Sequence, residues 1–241
     1  LINILELNFM KKLTDLVRRL ELEESLGVEE AQQTEAPKDT PDFQSKLNNF
    51  DWKFQALDKG LSVMKDHAVD YLKKLHKGEY TFLSILGPTE RGKTLLMNDI
   101  RRFISENSKF FKFPYAKKTV EGRCEKLIIY GTLKELVSEC LGDNKRLKEI
   151  KGCGILFIEE FFNFNVINAY NNMIIEIAFD IINSRKEMAV VLDSNKYENE
   201  ISAIDVRIES RLHRNGGVVL SISDKIPMFL KRTQNGNNPK R

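Results

Sequence analysis

The sequence predicts a three-layer α/β/α domain built on a five-stranded parallel sheet. Three observations carry that prediction. Apolar runs of strand length recur from about residue 80 onward, stretches with helical periodicity separate them, and a glycine-rich turn joins the first run to a helix. Strands that read as continuous apolar runs are buried on both faces, and helical crossovers between them favour parallel pairing.

The elements follow in order. Leu13, Leu16, Val17, Leu20 and Leu26 fall near helical spacing, so about residues 10–26 form an amphipathic helix that needs a partner surface. Gly27–Asp42 is rich in Glu, Gln, Thr and Pro and reads as a flexible linker, placing a domain boundary near residue 45. Leu61, Met64, Ala68, Tyr71, Leu72 and Leu75 mark a helix with Gly78 as its stop. Strands are expected at Tyr80–Leu86, Lys126–Tyr130, Gly154–Ile158, Met188–Leu192 and Val218–Ile222, and a helix at about residues 93–106.

Composition narrows the class. The 241 residues are 41% hydrophobic and 30% charged, and no apolar run reaches the ~18 residues needed to cross a bilayer, which argues against a membrane protein. The opening Leu1–Phe9 lacks a basic leading segment and is interrupted by Glu6 and Asn8, unlike a secretory signal, so Met10 is a candidate start and a cytoplasmic location is expected. Three cysteines, Cys124, Cys140 and Cys153, are too few for a disulfide framework and are expected to be buried thiols. Residues 1–45 carry 5 basic and 10 acidic side chains, leaving 33 and 25 to the remainder, so an acidic arm precedes a basic body. A basic body can attract nucleic-acid phosphates, and it can equally be a solvated surface.

The chemistry concentrates at Gly87-Pro88-Thr89-Glu90-Arg91-Gly92-Lys93-Thr94, a full GxxxxGK[ST] match between a predicted strand and a predicted helix. Glycines let the backbone curl so that successive N–H groups face a polyphosphate, and the positive end of the following helix adds to the attraction. Lys93 then reaches the β and γ phosphates of ATP, and the Thr94 hydroxyl ligates Mg2+. Leu95 completes the expected nucleotide contacts. A second element, Gly154-Ile155-Leu156-Phe157-Ile158-Glu159-Glu160, ends an apolar strand in two acids at the carboxyl edge, where α/β sites assemble. Glu159 is the candidate to hold magnesium and Glu160 to orient or deprotonate the attacking water. The first acid of such a pair is usually Asp. The extra methylene of Glu159 moves the carboxylate outward at a metal that demands near-ideal geometry, so slow turnover is one expectation. An acidic pair that merely ends a buried strand is the other reading.

Beyond the phosphates, Asn195 follows the run Met188–Leu192 and is a candidate to hold the attacking water, although Asn beside Ser is also ordinary turn chemistry. Arg207 and Arg211, four residues apart in a helical pattern, share a face suited to a phosphate in a neighbouring subunit; Asp205 and Glu209 offer local salt bridges instead. Phe110, Phe111, Phe113 and Tyr115 interleave with Lys109, Lys112, Lys117 and Lys118, which fits either base stacking or a strand whose alternate residues enter the core.

The order of these motifs, with Ile208-Glu209-Ser210-Arg211-Leu212 and Gly216-Gly217-Val218-Val219 after them, resembles the DnaC/IstB-like AAA+ ATPases, a family of helicase loaders and transposition ATPases, over about residues 46–230. That resemblance implies Lys93 and Thr94 as Walker A residues, Glu159 and Glu160 as Walker B, Asn195 as sensor 1, and Arg211, with Arg207 as the alternative, as an arginine finger in a nucleotide-dependent homo-oligomer. It also implies that Asn49-Phe50-Asp51-Trp52 lies near the adenine and that a full C-terminal helical lid is missing. Residues 1–45 become a partner-binding arm and 231–241 a polar tail. The implied partners are a replicative helicase or a transposase, with single-stranded DNA. A small-molecule kinase would reuse the same phosphate loop, and a nucleotide-regulated binding module would need little turnover.

Overall fold

The computed structural model describes residues 41–50, 52, 59–113, 127–164 and 168–223, all within the compact unit Thr34–Arg241. The expected helix near residues 10–26, most of the linker, Asp51, Tyr115, Lys117, Lys118, Cys124, the tail 231–241 and the question of a helical lid lie outside the described residues.

The five strands are β1 (Phe82–Leu86), β2 (Ile128–Thr132), β3 (Ile155–Glu159), β4 (Ala189–Ser194) and β5 (Val218–Ser221), in the order β2-β3-β4-β1-β5. Every pair is parallel. All residues of β1 and β4 are buried, so both faces of the sheet centre are covered, as the continuous apolar runs predict. Strand β4 runs two residues past the expected Leu192. The continuation holds because Asp193 and Ser194 are buried yet hydrogen-bonded to the turn that follows β3.

Eight α-helices occur among the described residues. They are α1 (Pro41–Asn48), α2 (Lys59–His76), α3 (Lys93–Glu106), α4 (Leu133–Cys140), α5 (Asn144–Gly152), α6 (Ala169–Ser184), α7 (Glu198–Ile204) and α8 (Val206–Leu212). Local chemistry sets their starts. Thr132 and Glu135 form a reciprocal capping box on α4, the Asp143 carboxylate accepts from the first backbone amides of α5, and Asn168 caps α6. The stretch expected as one helix through Ile204–Leu212 is broken at Asp205. That residue takes an extended φ of −157° and caps α8 through the Arg207 N–H, so Arg207 and Arg211 share α8.

One core joins the sheet to the segment that precedes it. Helix α1 crosses the boundary expected near residue 45, with Phe43 and Leu47 buried and the Phe43 ring stacked on His76 at 3.7 Å. Burying each such side chain contributes about 1.5–3 kcal/mol. Phe110, Phe111 and Phe113 also point into this core, which settles their role as packing rather than as platforms for bases. Among the described residues they occupy a 3-10 turn (Ser108–Phe110) and an extended segment rather than a strand. Tyr71 on α2 donates to the carbonyls of Thr81 and Val190, tying the helix to β1 and β4. Cys140 and Cys153 are buried free thiols, and burial pushes the Cys140 thiol up to about 12.

Candidate nucleotide-binding site

The phosphate loop leaves the centre of the sheet. Gly87 follows β1 with φ 129°, its N–H donates to the Ser194 carbonyl, and a β-carbon there would lie 2.6 Å from the carbonyl oxygen of Ile222. Only glycine fits. Gly92 ends the loop in the left-handed region (φ 86°) as the N-cap of α3, whose first residues are Lys93, Thr94 and Leu95. The fully buried Trp52 lies behind the loop, its Cζ2 3.6 Å from where a Gly92 β-carbon would sit. The opening amides of α3 lack helical acceptors and face the loop, a ready anion site.

The loop meets the ends of β3 and β4 around a cavity of about 270 Å³. Residues 89–95 bound one side, and Glu160, Asn163, Asp193 and Asn195 the other. Lys93 is buried; its Nζ donates to the Pro88 carbonyl at 2.6 Å and to Asn195 Oδ1 at 2.9 Å. Burial pulls the Lys93 ammonium down to about 8, opposed by the Asp193 carboxylate and reinforced by Arg91. The Thr94 hydroxyl donates to Asp193 Oδ2 at 2.6 Å, and the other oxygen of that carboxylate accepts the Glu160 N–H at 2.8 Å. Asn163 Oδ1 accepts the Asn195 N–H at 3.0 Å.

The two acids at the end of β3 diverge. Glu160 adopts φ 53°, uncommon for a residue with a β-carbon, and its exposed side chain borders the cavity. The half-buried Glu159 accepts a hydrogen bond from the Tyr130 hydroxyl of β2 at 2.9 Å, and the Arg101 guanidinium lies 4.0 Å over the Tyr130 ring. Desolvation raises the Glu159 carboxyl above its ordinary range; the Tyr130 hydrogen bond opposes this and the Asp193 charge adds to it. The donors converging beside Thr94 are a hydroxyl and carboxylates, all hard oxygen ligands, so the residues present fit a magnesium ion.

The arginines lie on α8. Arg207 forks onto Asp205, reaches Glu176 at 2.7 Å and sits over the Phe179 ring, so local acids consume it. Arg211 donates to Asn183 Oδ1 at 3.2 Å and Ser210 Oγ at 2.9 Å, both neutral. A separate hollow of about 520 Å³ is lined by Glu198, Ser202, Glu209 and Ser221 among others, and the His213 ring hydrogen-bonds the Glu198 carboxylate beside it at the surface.

No protein-family model matches the sequence, and no curated protein matches it. Solved structures do. Domain III of the replication initiation protein DnaA from Thermotoga maritima superposes with a TM-score of 0.56 at 19% identity, covering 83% of this chain and 78% of that one. The likeness is one of fold, the five-stranded parallel sheet flanked by helices. The DnaC helicase loader matches with a TM-score of 0.53 at 15% identity, covering 76% of this chain and 100% of that one. AMPPCP-bound DnaA from Aquifex aeolicus gives 0.54 at 17% identity over 84% of this chain, which spans 57% of that protein. The likeness to helicase-loader ATPases read from the motifs is thus met at the level of fold.

Two residues of the cavity escaped the sequence reading. Asp193 was legible in principle: an acid that ends a buried apolar run is the signal that singled out Glu159 and Glu160, but Asn195 two positions on drew the choice. Asn163 carried no signal, since its place depends on how the chain turns after β3.

Proposed function

We propose that this chain binds ATP with magnesium and hydrolyses it, as an AAA+ protein whose nucleotide state governs its hold on a replicative helicase and single-stranded DNA. The observation that carries the reading is the meeting of Lys93 and Thr94 with Asn195 and Asp193 from the neighbouring strand, around one cavity. A chance glycine loop has no reason to lie against a polar amide and a buried carboxylate at hydrogen-bond distance.

Each residue then has a task. The amides of the loop and of the α3 start receive the β and γ phosphates, and Lys93 exchanges its Pro88 carbonyl partner for phosphate oxygen. Thr94 would be the protein ligand of bound magnesium, which would offset the charge of the phosphates, while Glu159 is held toward Tyr130 and away from the cavity. Asn195 holds the attacking water beside Glu160, which takes its proton as the water oxygen bonds to the γ-phosphorus and the bond to the ADP oxygen breaks. Arg211 acts from an adjoining subunit in a nucleotide-dependent homo-oligomer. Its hydrogen-bond partners are neutral and the Phe179 ring lies 5.7 Å from it, so among the described residues no carboxylate pairs with its charge, in contrast to Arg207.

The choice of partner rests on the fold neighbours, which include a helicase loader and a DnaA bound to AMPPCP and single-stranded DNA, and on the basic surplus beyond residue 45. Residues 1–40, the part of the expected arm ahead of α1, serve as the helicase-binding arm. Calorimetry with Mg-ATP and phosphate-release assays on wild type, Lys93→Ala and Glu160→Gln test the enzyme: slow turnover in wild type and near silence in both variants are expected. Equal rates in all three would remove the catalytic assignment. Pull-down of the cognate helicase with and without residues 1–40, a deletion that leaves α1 and its buried Phe43 in place, tests the arm, and unchanged capture after deletion would count against it.

A further inference from the structure

We propose that Asp193, on β4, is the carboxylate that orients Thr94 toward the metal and holds Glu160 in place, a task that the acid ending β3 leaves undone because Glu159 is turned toward β2. The inference rests on the ATP-binding reading above and assigns a residue that the motif alone does not.

The geometry has two halves. On the loop side, the Thr94 hydroxyl gives its proton to Asp193 Oδ2 at 2.6 Å. A hydroxyl whose hydrogen is committed in one direction presents its lone pairs in the other, which is how a carboxylate outside the ligand shell orients a ligand and raises its basicity. On the β3 side, Asp193 Oδ1 accepts the Glu160 N–H at 2.8 Å and so holds the left-handed turn that swings the Glu160 side chain to the cavity. One buried carboxylate, 3% exposed, therefore fixes a metal ligand and the general base relative to each other.

Strand order explains why this acid and not Glu159. Strand β4 lies beside β1, with Asp193 in register with Ile85, two residues before the loop begins. Strand β3 is one strand further away, and Glu159 is in register with Thr132 on its far side, where the Tyr130 hydroxyl, itself under the Arg101 guanidinium, donates to its carboxylate. The residue types agree with the geometry. The longer Glu occupies the position where its reach serves a partner on β2, and the short, stiff Asp occupies the position beside the loop.

The test compares wild type, Asp193→Asn, Asp193→Ser and Glu159→Gln. Equilibrium dialysis measures the affinity for AMPPCP without metal, and electron paramagnetic resonance measures the affinity of each nucleotide complex for Mn2+. The Asp193 variants are expected to lose about 10- to 100-fold in Mn2+ affinity while keeping metal-free AMPPCP affinity, and Glu159→Gln to keep both. Ser keeps a hydroxyl acceptor near the Glu160 N–H, so a folding defect in Asn leaves Ser to decide. Loss of Mn2+ affinity in Glu159→Gln but not in the Asp193 variants would overturn the inference and leave the ATP reading standing. Equal loss of metal-free nucleotide and Mn2+ in the Asp193 variants would reduce Asp193 to a brace of the loop and overturn it too. Absence of AMPPCP binding by folded wild type would sink the ATP reading itself.

Discussion

Arg185→Ala is expected to destabilise the domain by about 4 kcal/mol. The guanidinium is fully buried and donates to four main-chain carbonyls: Ile150 at 3.1 Å, Lys151 at 3.0 Å, Gly154 at 3.3 Å and Ala189 at 2.8 Å. The first two belong to the last turn of α5, where carbonyls lack helical donors, and the negative end of that helix offsets the buried charge. The other two sit where β3 and β4 begin, so one side chain sets the two strands side by side. Hydrogen bonds from an ionised donor contribute about 1.5–3 kcal/mol each, or roughly 6–12 for the set. Bonds from one side chain do not add in full, and removing one partner of a buried charged network costs about 3–5 kcal/mol, hence about 4. Arg185→Lys keeps the charge, but three donors on one nitrogen cannot span the four acceptors, so it should fall between Ala and wild type. Urea denaturation followed by circular dichroism reads the loss from the midpoint at constant slope. Nucleotide affinity of the folded fraction should hold, because the site lies at the opposite end of the strands. A loss below about 1 kcal/mol for Ala would refute the reasoning, since a single neutral hydrogen bond already contributes that much.

The pH dependence of ATP binding should follow Lys93. Burial lowers its affinity for a proton in the free protein, to about 8, while phosphate favours the ammonium. Binding is therefore strongest below about pH 8 and weakens as pH rises through it, by about tenfold at about pH 9, where only about one-tenth of the free lysine stays charged. Calorimetry in two buffers of different ionisation heat should show proton uptake near pH 8.5, and a pH-independent affinity would contradict the shift. The two arginines of α8 should separate. Arg211→Ala should leave stability and ATP affinity near wild type and cut phosphate release by about 10³-fold or more in assembled protein. Arg207→Ala should chiefly lower the melting temperature through the lost Asp205 and Glu176 pairs. The reverse pattern would exchange their roles.

How much was legible in the sequence depended on whether a signal was local. The loop Gly87–Thr94 and the five strands were readable because a glycine turn and a run of buried residues are written in consecutive positions. The paths of Asp193 and Glu159 were not, because the first needs β4 beside β1 and the second needs Tyr130 opposite, and both are facts of strand order. Arg185 reads in sequence as a basic residue ending a helix, an ordinary surface feature; only the convergence of α5, β3 and β4 makes it a buried clasp. The alternation of Phe and Lys at residues 109–113 fits two roles in sequence, and Phe43 of α1 supplies the core partner that decides between them.

The chain holds a single tryptophan, and it is the one sealed behind the phosphate loop. Indole emission from the unmodified protein is therefore a light signal from one place, beside Gly92 where the loop becomes helix. Filling or emptying the loop can be watched in real time, in stopped flow and without a dye, and the tyrosines add little when excitation is set to the red edge of the band.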